Sequence, residues 1–185
     1  MMKDILKDAS ARMDQSVEHL RLELSKIRTG KATTALLDGV KVEYYGTMTP
    51  LTQMANVSVL DPHTLSIQPW DKSSLGPIEK AIMSADLGLN PGNNGNSITV
   101  PIPALNEERR RELVKLIKRF GEEAKVAVRN VRRDANDHLK KAEKEDHVSE
   151  DDRIKAEKDV QDLTDKHVEM VDELLKHKED EIMEV

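Results

Sequence analysis

The chain has 185 residues, of which 35% are charged and only 2% aromatic, with a formal net charge of −6 and no cysteine. That is long enough for one large or two small domains, and the composition suits long helices with narrow apolar seams rather than a sandwich or an aromatic-lined ligand pocket. Without cysteine there is no disulfide framework, thiolate zinc site or cysteine nucleophile. The N-terminal MMKDILKDASARM sets charges among its apolar residues, unlike a signal peptide, and no apolar run approaches a membrane span. A soluble cytoplasmic protein is expected.

The first predicted element is a helix from about Lys3 to Thr29. Leu6, Met13, Leu20 and Ile27 repeat every seven residues, and Ala9, Val17 and Leu24 fill the alternate seam. Gly30 stands where a helix-terminating glycine is expected, just after Lys26 and Arg28. The helical seam then disappears. All 7 prolines and 7 of the 8 glycines fall between Gly30 and Ala104. Val40, Val42 and Tyr44 alternate with Lys41, Glu43 and Tyr45, as in a half-buried strand, and Gly46 to Pro50 reads as a turn region. Of the adjacent Tyr44 and Tyr45, one is expected in the small core and the other at the surface. Val57 and Val59, then Leu65 and Ile67, mark two further strands joined by Asp61-Pro62-His63-Thr64. A short helix over Leu75 to Ala85 turns Ile78, Ala81, Ile82 and Ala85 inward. An Asn/Gly-rich loop and a last strand, Ser97 to Val100, follow.

Residues 31–103 therefore read as a small mixed domain inserted into a helical one comprising 1–29 and 105–185. The two linkers, at Gly30 and at 101–105 with Pro101, Pro103 and Leu105, must lie side by side and are expected to act as a hinge. The second long helix begins after Asn106 and carries Leu113, Leu116, Ile117, Phe120, Ala124, Val128, Val131, Ala135, Leu139 and Ala142 on one stripe. Its forty or so residues would span roughly 60 Å. Gly121 is expected to lie off that seam. A connection near Asp146 to Val148 leads to Ser149, an N-cap followed by Glu150, Asp151 and Asp152. The third long helix then runs with Val160, Leu163, Val171, Leu174 and Ile182 on its seam. Asp151–Lys155, Asp162–Lys166 and Asp172–Lys176 are placed for helix-stabilising pairs. The fold class expected is α+β: an elongated three-helix bundle with an inserted small β/α/β domain.

Charge is unevenly distributed. Residues 1–30 carry +1, 31–104 carry −2, 105–146 carry +3 and 147–185 carry −8. Fields at a surface are screened over about 8–10 Å, so a local basic face can bind a polyanion despite a negative total. Such a face lies in KVAVRNVRRDAND, residues 125–137, where Arg129, Arg132 and Arg133 stand at i, i+3 and i+4. At heptad spacing Arg111, Lys118, Lys125, Arg132 and Lys140 form one slanting stripe. A solvated helix face would look similar, but arginine's planar fork suits phosphate and base edges better than solubility requires.

Enzyme motifs are not supported. Thr29-Gly30-Lys31-Ala32 resembles half of a phosphate-binding loop, yet Ser25 and Ala32 stand where Gly and Ser/Thr are needed. Asp134 and His138 share a helix face without a third ligand, so no metal site is expected, and His167 falls on an apolar seam as a packed histidine. No cofactor is expected either.

Four strings carry the reading further: SKIRTGKATTALLDGVKVEYYGTMTPL (25–51), EKAIMSADLGLNP (79–91), PIPALNEERRRELVK (101–115) and AVRNVRRDAND (127–137). They closely resemble the bacterial ribosome recycling factor family, in register over essentially the whole chain. The resemblance implies a three-helix bundle and a β/α/β sandwich domain arranged as an L about a mobile hinge. It implies a monomeric translation factor, not an enzyme, whose bundle binds large-subunit ribosomal RNA near the inter-subunit bridges of the post-termination ribosome. With elongation factor G and GTP such a factor separates the subunits and frees messenger and deacylated transfer RNA. The GTP hydrolysis belongs to that partner, which the small domain is expected to contact. The family's basic positions map here onto Arg129, Arg132 and Arg133, flanked by Arg28, Arg109 and Arg110, with Arg132 foremost. Lys31 stands where arginine is common in the family, which leaves its role open. The competing readings are a structural or chaperone-like coiled coil, which would oligomerise and be indifferent to arginine replacement, and a hydrolase or transferase in the small domain, which would need a convergent polar pocket.

Overall fold

The computed structural model describes residues 1–145 and 148–184, and the Asp146 and His147 part of the expected connection lies outside them. The backbone divides into two compact units, 1–27 with 107–185, and 28–106.

The first unit is three long helices: α1 (Met2–Ser25), α3 (Glu107–Glu145) and α4 (Glu150–Met183). The seven-residue repeats explain their packing. Ala9, Met13, Val17, Leu20 and Leu24 of α1 are buried, as are Leu113, Ile117, Ala124, Val128, Val131, Ala135 and Leu139 of α3. Ala156, Val160, Thr164, His167, Val171 and Ile182 of α4 close the seam. The Ser149 side chain accepts from the Asp152 amide and caps α4, as its sequence predicts. His167 is the packed histidine expected. Its Nδ1 lies 2.6 Å from the Leu163 carbonyl and its Nε2 2.6 Å from Asp14, tying α4 to α1.

Three details differ from the sequence reading. First, α1 ends at Ser25 with Lys26 as its cap, a turn before Thr29. The chain leaves the helix because Arg28 turns to the second unit, where its guanidinium donates to the Leu87 carbonyl at 2.6 Å. Second, Asp172 reaches across to Lys125 of α3, at 2.6 Å. Third, Gly121 is buried in the α3–α4 contact, where an added Cβ would fall 2.2 Å from a Leu175 methyl. Its lost helix propensity, about 1 kcal/mol, is thus the cost of a close approach. Gly121→Val is expected to overpack this contact and lower stability by about 1–3 kcal/mol, measured by urea denaturation.

The second unit holds two antiparallel sheets and one helix. The strands β1 (Lys41–Tyr44) and β2 (Thr47–Pro50) form a hairpin. β3 (Ala55–Asp61), β4 (Thr64–Pro69), β5 (Gly92–Asn93) and β6 (Ile98–Pro101) form a sheet in the order β3-β4-β6-β5. The helix α2 (Leu75–Ser84) turns Leu75, Ile78 and Ile82 into a core shared with Val42, Leu51, Leu65, Ile67, Ile98 and Val100. The expected turn at Gly46 to Pro50 is mostly strand β2. The reversal occurs at Tyr45 and Gly46, both with positive φ (48° and 77°), the backbone of a two-residue hairpin turn. Tyr44 packs against the core and Tyr45 is 84% exposed, the division alternation requires. Asp71 accepts from the Ser73 amide and from the Tyr44 hydroxyl. Chiefly through the Ser73 backbone bond its carboxyl is held below the usual range, while desolvation, ahead of the Asp71 bond, pushes the Tyr44 phenol up.

Candidate nucleic-acid interface

The arginines expected to bind RNA do not sit in equivalent places. Arg129, Arg132 and Arg133 occupy the middle of α3, with Arg133 turned away from the buried Ala124, Val128, Val131 and Ala135 and Arg129 and Arg132 flanking that stripe. Arg133 is exposed, and Arg129 and Arg132 are half-buried. Arg132 leans toward α4, its guanidinium 3.5 Å from the neutral Gln161 side chain. Arg129 approaches Glu122 at 3.6 Å across a partly exposed surface, a pairing that contributes little in water. Arg133 makes no ion pair among the described residues. Three guanidinium groups with little neutralisation and five N–H donors each therefore stand together, the chemistry that grips phosphate bidentately.

The longer stripe is broken by carboxylates. Lys125, whose side chain is only 20% exposed, is held by Asp172, and Arg111 is paired with Glu107. Arg109 is paired with Glu112 at 3.0 Å. Lys118 and Lys140 remain exposed, without an ion pair among the described residues. The basic surface thus concentrates on the Arg129–Arg133 segment rather than running evenly along α3.

Arg28 and Arg110 are elsewhere. Arg28 belongs to the small unit through its bond to Leu87, on a separate compact unit from the α3 arginines. Arg110 stands three and seven residues before the buried Leu113 and Ile117, so helical phase turns it inward. It is half-buried, with its Nε shielded and lacking a hydrogen-bond partner. Gly30, Pro101, Pro103 and Leu105, the expected hinge residues, all fall within the small unit. Pro101 pairs with Thr64 in the sheet, and Leu105 lies against Gly30.

Asp134 is engaged by Arg12 of α1 at 2.9 Å. Among the described residues there is no group of three or more His, Asp or Glu side chains placed to hold a metal ion. An open groove of about 540 Å³ runs between α1 and α3, lined by Arg12, Gln15, His19, Phe120 and Asn130 among others. It lies on the α1 side of α3, whereas Arg132 leans to α4. Among the described residues no helix is long and apolar enough to cross a membrane.

The chain matches known proteins in both sequence and fold. A family model described as ribosome recycling factor matches residues 20–183. A ribosome-recycling factor of Azoarcus sp. is 52% identical over 185 residues, and one of Thioalkalivibrio sulfidiphilus 55%, each covering 100% of both chains. The solution structure of a ribosome recycling factor matches with a TM-score of 0.76 at 43% identity, covering 100% of this chain and 98% of the other. A second structure, a T. thermophilus ribosome recycling factor placed with E. coli elongation factor G on the E. coli post-termination complex, matches with a TM-score of 0.63 at 46% identity and full coverage of both chains. A full-length match at this identity, on a fold reached from its own seams and turns, makes this chain a member of the ribosome recycling factor family.

Proposed function

We propose that this chain binds the post-termination ribosome and, with elongation factor G and GTP, separates its subunits and releases messenger and deacylated transfer RNA. The observation that carries the binding step is the Arg129–Arg132–Arg133 face. It offers weakly neutralised guanidinium groups on a long helix, suited to the phosphates of large-subunit ribosomal RNA. Arg109 can extend this face toward the start of α3 only by giving up Glu112. Arg28, held by the Leu87 carbonyl, and Arg110, turned toward the buried side of α3, are not assigned to RNA.

The small unit is assigned to the protein partner. Tyr45 and Trp70 are 84% and 71% exposed, and the Tyr44–Asp71 bond draws their two segments together. Exposed Tyr and Trp suit a protein contact, where such side chains carry much of the binding energy. The chain itself hydrolyses nothing in this account and works as a cytoplasmic monomer. Two passages of chain between the units allow one to move against the other, so the partner's GTP-driven motion can be delivered to the RNA-bound bundle.

The test is release of labelled transfer RNA from purified post-termination complexes, followed by filter binding. Release is expected only when this protein, elongation factor G and GTP are all present. Equal release without the protein would overturn the proposal.

A further inference from the structure

The turn between β3 and β4 holds both passages that connect the two units. On the incoming passage, the Ala32 amide donates to the Pro62 carbonyl at 2.8 Å, and His63 Nδ1 lies 2.9 Å from the Gly30 carbonyl. On the outgoing passage, the Ile102 amide donates to the His63 carbonyl at 2.7 Å. Gly30 and Leu105 meet so closely that a Cβ on Gly30 would fall 3.1 Å from the Leu105 nitrogen. Arg28 is tied to Leu87. A carbonyl oxygen can only accept, so Nδ1 of His63 carries the proton in this contact. One residue thereby secures the incoming passage with its ring and the outgoing passage with its backbone.

We propose that His63 is a positioning residue that fastens residues 28–32 and 101–105 to the small unit, so that the chain pivots outside them, between Ile27 and Arg28 and between Asn106 and Glu107. The inference rests on the recycling reading above and refines it. Gly30, Pro101, Pro103 and Leu105 then form the rigid base of the small unit, and motion delivered to that unit reaches the bundle without being absorbed in slack loops. The two pivots coincide with the ends of the helical unit, where each chain passage has no sheet partner.

The test compares His63→Ala, which removes the ring donor and keeps both backbone bonds, with His63→Asn, whose amide nitrogen can take the place of Nδ1. Hydrogen exchange on the free protein reads the fastening. In His63→Ala the Ala32 and Ile102 amides should exchange about fivefold faster, as for loss of one ordinary hydrogen bond, and His63→Asn should restore them. Subunit splitting with elongation factor G and GTP should slow in His63→Ala at unchanged ribosome affinity, and recover in His63→Asn. Unchanged exchange would overturn the fastening. Faster exchange with splitting at the wild-type rate would overturn the positioning role. A wild type that protects these amides but splits no ribosomes would instead overturn the recycling reading and, with it, the role assigned to His63.

Discussion

Arg132→Glu is expected to weaken ribosome binding by about 10- to 100-fold, since a charge-assisted hydrogen bond to phosphate is worth about 1.5–3 kcal/mol and the new carboxylate adds repulsion. Arg132 is singled out because its neighbour Gln161 is neutral and no ion pair holds its guanidinium among the described residues. Co-sedimentation across a salt series checks this. Binding should fall steeply with salt in the wild type, and Arg132→Gln should flatten that dependence by roughly one unit of log–log slope. Arg111→Glu is the matched control. Arg111 is exposed on the same helix but already paired with Glu107, so its reversal should change affinity far less. Equal losses in both variants would mean that only the general charge of α3 matters.

Gly30→Val should leave ribosome binding within about threefold while reducing subunit splitting at least tenfold. Gly30 has φ +77°, a region that costs an ordinary L-residue about 1–2 kcal/mol and a β-branched one more. Its Cβ would also press on the Leu105 backbone nitrogen at 3.1 Å and the Leu105 Cγ at 3.3 Å, so Leu105 must give by a few tenths of an ångström. Gly39→Ala separates strain from contact. Gly39 has φ +83° but open space around the added methyl, so this variant should lose about 1–2 kcal/mol of stability and keep its splitting rate. Stopped-flow splitting rates beside binding isotherms distinguish the cases. If Gly30→Val and Gly39→Ala behaved alike, the contact with Leu105 would have no part in function.

What the sequence revealed followed from how local the signal was. The three long helices were legible because their apolar repeats persist over many turns, as Met13, Leu20, Val128, Val131 and Leu139 show by being buried. The early end of α1 was not, because Arg28 leaves the helix for a carbonyl 59 residues away. Strand β2 was not legible because Thr47-Met48-Thr49-Pro50 is short, buries no side chain fully and ends on a proline, and its turn is Tyr-Gly, not the more familiar Asn-Gly. Gly121 was misplaced because its partner, Leu175, lies on another helix.

The arginine cluster was legible from its i, i+3, i+4 spacing alone. Which stripe members are neutralised was not, since Lys125 meets Asp172 only after α4 folds back along α3. Arg110 could have been placed inward by counting, because it shares helical phase with Leu113 and Ile117. His63 carried no sequence signal beyond its place in a turn. Its importance arises from the two distant segments that meet there.

The most direct measurement of the central claim is light scattering of post-termination ribosomes after mixing with this protein, elongation factor G and GTP. The account predicts a rapid fall in scattering as subunits separate, absent when any one of the three is omitted and strongly slowed by Arg132→Glu at limiting protein. Undiminished scattering with the complete wild-type mixture, or an equal fall without this protein, would contradict it.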